Sequence, residues 1–280
     1  MSETHDTTPT RFIEAGGFNY AFRRFGKKGG APIVLLQHFR GNLDDWDPII
    51  TNSLAAKREV ILFASTGVGL STGETPDNVW DMTRHLAAFQ EALNLEQVDI
   101  LGYSLGGFIA QQFALSYPDR ARRLILAGTG PQGGEGMEIF THDILRVAVK
   151  DSPVPDDILL IFFQPTGTSQ AAGRAFLDRL KTRSADREPR TTLQTRDAQL
   201  KAIQGWGYPD GTRYARLKYI RHPTLITGGI NDAMFPSINA FTLAENLPNA
   251  HLSLYPDASH GGIMQYAELF SAQANSFLDA

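Results

Sequence analysis

The sequence predicts an α/β fold: a mostly parallel, eight-stranded sheet flanked by helices, with a helical segment inserted late in the chain. Three observations predict it. Short apolar runs such as Ile33-Val34-Leu35-Leu36 recur at residues 60–63, 98–101 and 124–127, the pattern of strands buried on both faces. Between the later ones lie residues 79–93 and 105–117, with apolar positions three and four apart, as an amphipathic helix requires. After Thr129-Gly130-Pro131 strand signals stop, and they return only at residues 224–227 and 251–254.

Taken in order, residues 11–15 and 18–25 are strands split by Gly16-Gly17 and predict a hairpin. The four apolar strands and their two helices follow, the second helix ending at Pro118. From about Met137 to Gln204 only helical segments occur, broken at Pro153, Pro155, Pro165 and Pro189. A helix over residues 236–246 and a last one over 264–278 complete the pattern. Because strands of the same type resume after the helical stretch, residues 131–217 are expected to be a helical lid inserted into a core of residues 10–130 and 218–280. Residues 1–9 are polar and are expected to be a disordered tail.

Composition excludes several function classes. The 280 residues carry a net charge of −4 and no basic run, which argues against a nucleic-acid partner. With no cysteine there is no disulfide, thiolate metal site or cysteine nucleophile. No apolar run approaches the roughly 18 residues of a membrane span, and the start lacks a signal-peptide core. A soluble cytoplasmic protein with a small-molecule substrate is expected, and nothing distinguishes a monomer from a homo-oligomer. The spacing in Gly67-Val68-Gly69 and Gly73 misses a dinucleotide fingerprint, and neither a Gly-Lys-Ser/Thr nor a His-Glu-x-x-His motif occurs, so no cofactor and no metal are expected.

Gly102-Tyr103-Ser104-Leu105-Gly106-Gly107 follows an apolar strand and opens a helix, the context a nucleophile elbow needs. A turn that tight holds the serine in a strained backbone state and leaves no room for side chains two residues away, hence the glycines. A serine capping an ordinary glycine-rich helix start would read the same way. A serine hydroxyl needs a base, and His260 fits best, in a loop of small residues (Ala258-Ser259-His260-Gly261-Gly262) between the last strand and the last helix. The acid that orients it is Asp232, beyond the strand at 224–227; Asp257 is a rival, awkwardly close to His260 along the chain. The order Ser, Asp, His is that of hydrolases built on an α/β sheet.

With these motifs, and Gly229-Ile230-Asn231-Asp232 with Pro236, the chain resembles the α/β-hydrolase superfamily from Arg11 to its C-terminus. The resemblance implies a lid after the sixth strand and places the chain near lid-bearing esterases, enol-lactonases, carbon–carbon bond hydrolases and cofactor-free haloperoxidases. Ser104 speaks against dehalogenases and most epoxide hydrolases, which carry Asp in the elbow. The resemblance also implies an oxyanion loop at Gln37-His38-Phe39-Arg40-Gly41, with the backbone N–H groups of Phe39 and Leu105 as the oxyanion hole. His38 stands where the family usually has glycine, so a positive φ is expected there, a conformation histidine tolerates better than most residues. Ala64 and Thr66 replace an Asp and an Arg that many relatives pair. Candidate substrate contacts are His38, Arg40, Phe162 and Trp206, Arg40 as a possible partner for a substrate carboxylate or carbonyl.

The expected activity is a serine hydrolase that cleaves a small to medium, partly apolar carboxylic ester or lactone through an acyl-enzyme. The alternatives are carbon–carbon bond hydrolysis, perhydrolysis with the same three residues, and ligand binding with little turnover.

Overall fold

The computed structural model describes residues 3–212 and 214–280. The chain forms, in order, β1 (Arg11–Ala15), β2 (Phe18–Gly26), β3 (Ile33–Leu36), α1 (Pro48–Ala55), β4 (Glu59–Phe63), α2 (Val79–Ala92), β5 (Val98–Tyr103), α3 (Leu105–Ser116) and β6 (Ala121–Ala127). Four helices follow: α4 (His142–Ala148), α5 (Pro155–Phe162), α6 (Gly167–Arg179) and α7 (Leu193–Gly207). The chain closes with β7 (Thr224–Gly229), α8 (Ile238–Asn246), β8 (Ala250–Tyr255), α9 (Gly262–Gln265) and α10 (Ala267–Asp279).

The eight strands make one sheet in the order β1-β2-β4-β3-β5-β6-β7-β8. β1 and β2 pair antiparallel as the expected hairpin, β2 joins β4 antiparallel, and every later pairing is parallel. Strands β3, β4, β5 and β7 are buried at every position, which is why they read as continuous apolar runs. Each Ile, Leu or Val in them contributes roughly 1.5–3 kcal/mol by leaving water.

The helices α4 to α7 are an insertion between β6 and β7, with Pro155 at the first position of α5. They are tied to the sheet by buried charge. Arg23 of β2, fully buried, donates to Asp44 Oδ1 at 2.7 Å, and Asp44 Oδ2 accepts from the Glu188 N–H at 2.7 Å. The Glu188 carboxylate in turn accepts from the N–H groups of Leu43 (2.7 Å) and Leu70 (3.1 Å). A Cβ on Gly69 would lie 2.2 Å from Glu188 Oε1, so glycine there is what admits the carboxylate. The loop that carries Gly69 and Leu70 is thus held by an acid from the inserted segment. Burial raises Glu188 to a pKa of about 7, against those two backbone donors.

Three expectations need correction. The N-terminal tail is not disordered where it is described: His5 is 1% exposed, its N–H donates to Asn52 Oδ1 at 2.8 Å, and its carbonyl accepts from Arg183 at 2.9 Å. A polar segment stays ordered here because a buried guanidinium needs its carbonyls; Met1 and Ser2 lie outside the described residues. The last helix is two, broken at Tyr266, whose hydroxyl donates to Pro256 O and whose ring stacks on Tyr255. The positive φ of the loop after β3 falls on Arg40 (63°), not on His38.

Candidate active site

Four loops meet at the carboxyl ends of parallel strands, where α/β sheets place their ligands. Ser104 follows β5, residues 37–41 follow β3, Asp232 follows β7, and His260 lies between β8 and α9.

Ser104 has φ 56° and ψ −118°, a conformation that L-residues rarely adopt. The surroundings hold it there: its N–H donates to Ala127 O (2.9 Å), and its carbonyl accepts from Gly107 N–H (2.8 Å) and Thr129 Oγ1 (2.9 Å). A Cβ on Gly102 would meet Gly106 O at 2.4 Å, one on Gly106 would meet Leu36 O at 2.1 Å, and one on Gly107 would meet Thr129 Oγ1 at 2.5 Å. All three glycines are therefore required by close approach. Ser104 makes no side-chain capping bond to its helix, so the bland capping interpretation fails.

His260 Nδ1 lies 2.9 Å from Asp232 Oδ2 and 3.2 Å from Oδ1, with both side chains 3% exposed. A carboxylate only accepts, so Nδ1 carries the proton and Nε2 is left with a lone pair. Asp232 Oδ1 is fixed by the N–H groups of Met234 (2.8 Å) and Phe235 (3.0 Å). Asp257 is engaged elsewhere, by the Thr166 hydroxyl at 2.9 Å. The imidazole is boxed by rings: Tyr103 stacks at 5.3 Å, while Phe162 and Phe235 stand edge-on at 5.4 and 5.5 Å. Tyr103 donates to the His260 carbonyl at 3.0 Å, and burial, with Asp232 adding, raises its phenol well above the usual value. It remains a neutral donor.

Neither the N–H of Phe39, in the loop after β3, nor that of Leu105, at the start of α3, has a hydrogen-bond acceptor among the described residues. Both backbone donors are thus left without a protein acceptor among the described residues. The His38 ring lies between Tyr103 (5.4 Å) and Phe162 (5.2 Å), and its Nδ1 is 2.8 Å from the Phe39 carbonyl. Burial lowers its pKa to about 4; the Phe39 carbonyl opposes this and His260 adds to it. The Arg40 N–H donates to Gln199 Oε1 at 2.7 Å, which secures its left-handed backbone from the inserted helix α7.

The other expected contacts are placed differently. The Arg40 guanidinium donates to the carbonyls of Lys150 and Asp151, so it braces the inserted segment. Trp206 stacks on Phe108 at 5.1 Å and donates to Gly130 O at 3.2 Å, a buried packing position. Sequence reasoning missed Tyr103, Phe235 and Gln199. Tyr103 lies inside the elbow motif and Phe235 beside Pro236, so both could have been found there. Gln199 is one polar residue on a helix, and no local signal marks it.

Comparison with known proteins follows the same line. A family profile described as the alpha/beta hydrolase fold matches residues 31–266. A solved structure of an alpha/beta hydrolase fold protein from Chitinophaga pinensis is 42% identical with a TM-score of 0.94, over 99% of this chain and 100% of that one. A poly(3-hydroxyalkanoate) depolymerase of Ectopseudomonas oleovorans is 30% identical over 84% of this chain and 80% of its own length. A 2-hydroxy-6-oxononadienedioate/2-hydroxy-6-oxononatrienedioate hydrolase of Comamonas testosteroni is 24% identical over 99% of both.

Proposed function

The chain belongs to the α/β-hydrolase family, and from that premise we propose that it is a serine hydrolase cleaving a small to medium, partly apolar carboxylic ester or lactone. The observation that carries the reading is the His260–Asp232 pair at 2.9 Å, with the imidazole stacked on Tyr103, the residue before a serine held at φ 56°. The relative that acts on a poly(3-hydroxyalkanoate) supports ester chemistry.

In the proposed mechanism His260 Nε2 takes the Ser104 proton as Oγ attacks the substrate carbonyl. Asp232 holds the Nδ1 tautomer and stabilises the imidazolium. The N–H groups of Phe39 and Leu105 receive the developing oxyanion, an effect worth roughly 3–4 kcal/mol per donor. His260 then passes its proton to the leaving group, and water, activated by the same imidazole, releases the acid from Ser104. The inserted helices act as a lid, α5 delivering Phe162 against the imidazole. The enzyme is read as cytoplasmic and cofactor-free, with a small-molecule substrate. Carbon–carbon bond hydrolysis is the second reading, supported by the full-length similarity to the Comamonas hydrolase.

A panel of p-nitrophenyl esters, lactones and β-diketones, run beside Ser104→Ala and fluorophosphonate labelling, tests both. Ester turnover and labelling, both lost in Ser104→Ala, are expected. Turnover that survives in Ser104→Ala overturns the mechanism, and cleavage confined to diketones moves the protein to the second reading.

A further inference from the structure

A cavity of about 20 Å³ lies between the loop after β3, the start of α3 and the inserted helix α7. That volume holds about one water molecule or one hydroxyl group. No Asp, Glu, Lys or Arg lines it; its polar lining includes His38, Ser65, Thr66, His85 and Gln199.

Two of these present complementary open valences. Gln199 is 4% exposed, and its Oε1 is taken by the Arg40 N–H, which leaves its amide NH2 without an acceptor among the described residues. His38 Nδ1 faces the Phe39 carbonyl, which only accepts; Nδ1 therefore bears the proton, and Nε2 keeps a lone pair with no donor among the described residues. A group that both accepts from an amide and donates to an imidazole satisfies this pair, and a hydroxyl does both. A carboxylate does not, since it would face the His38 lone pair with no cation in reach.

The cavity also has a side. Leu105, next to the nucleophile, and His38, next to Phe39, line it, whereas Ser104, Phe39, His260, Phe162 and Phe235 do not. In the proposed mechanism the leaving group departs beside His260, which protonates it, and the cavity, bordered by Leu105, is assigned to the acyl part. On the serine-hydrolase reading above, on which this rests, we propose that the cavity is a hydroxyl subsite and that the preferred substrates are neutral esters of hydroxy acids, with the acyl hydroxyl bound between Gln199 and His38.

The test compares p-nitrophenyl 2- and 3-hydroxybutyrates with p-nitrophenyl butyrate. One hydroxy ester is expected to exceed butyrate in kcat/KM by about tenfold, the contribution of one well-made neutral hydrogen bond. Gln199→Glu, which keeps the acceptor for Arg40 and removes the donor, and His38→Phe should each bring that ratio towards one, whatever happens to absolute rates. On the unaltered enzyme, 2- or 3-hydroxybutyramide should inhibit more tightly than butyramide by a similar factor. Butyrate turned over as fast as both hydroxy esters, or a preference that survives in both variants, overturns the proposal. No turnover of any ester together with an unlabelled Ser104 would instead mean that the serine-hydrolase reading has failed, and the subsite with it.

Discussion

Two buried polar clusters in this chain are built on opposite plans. Around Arg23 and Asp44 the hydrogen-bonding capacity is taken up: Arg23 donates to Thr10 (3.2 Å), to Asp44 (2.7 Å) and to the Asp186 carbonyl (2.9 Å), and Asp44 and Glu188 accept from backbone N–H groups. At the rim of the sheet, valences are left open: the Phe39 and Leu105 N–H groups, His38 Nε2 and the Gln199 NH2 have no partner among the described residues. Both clusters bury carboxylates, so burial of charge does not identify the site. Buried polar atoms are left unpaired elsewhere too, Gln90 Oε1 and Arg58 Nε among them, so what distinguishes the proposed site is that its open groups accompany the strained Ser104.

The largest expected effect breaks the open cluster alone. Asp232→Asn retains an oxygen for the N–H groups of Met234 and Phe235 but presents an amide to His260 Nδ1, imposing the wrong tautomer. Steady-state kinetics should register a loss of roughly 10⁴ in kcat, with a small change in melting temperature. Arg23→Met does the reverse. It leaves Asp44 buried, with Arg183 and Arg187 as its remaining cations at 3.6 and 3.9 Å, and should cost about 3–5 kcal/mol in urea denaturation. The folded fraction should still turn over substrate normally; a comparable loss of kcat would mean that the two clusters are not separable.

Glu188 supplies a pH dependence. Its folded pKa is raised from 4.5 to about 7, so the folded state binds the proton more tightly than the unfolded chain. The resulting stability is fully present below the unfolded value and is lost as pH rises through about 7, up to about 3 kcal/mol in all. In Glu188→Gln, urea midpoints taken from pH 5 to about pH 8 should follow a flatter curve than in the unaltered protein, even if the whole curve is lower. A parallel curve would remove Glu188 as its origin. The smallest effect sharpens the choice of acid: Asp257→Asn disturbs a contact with Thr166 and should change kcat/KM by less than about twofold, against the large loss at Asp232.

The sheet and the elbow were legible because their causes are local. Strands such as Ile33–Leu36 show as apolar runs, and the glycines around Ser104 answer to clashes within one turn and with Leu36 O. The inserted segment was legible as helices only. Its docking depends on single long-range bonds, Glu188 to Leu43 and Leu70 or Gln199 to Arg40, and no periodicity encodes those. Arg40 shows the limit well. Its place beside the loop suggested a substrate contact, yet its guanidinium serves the carbonyls of Lys150 and Asp151.

The amino-acid order by itself determined the alternation of strands and helices and the succession Ser104, Asp232, His260, since hydrophobic period and turn sterics act over a few residues. Tertiary structure alone decided which acid meets the imidazole, how the polar tail packs, and which donors and acceptors are left free around Ser104. Those outcomes depend on distances between segments far apart in the chain, and only the assembled sheet sets such distances.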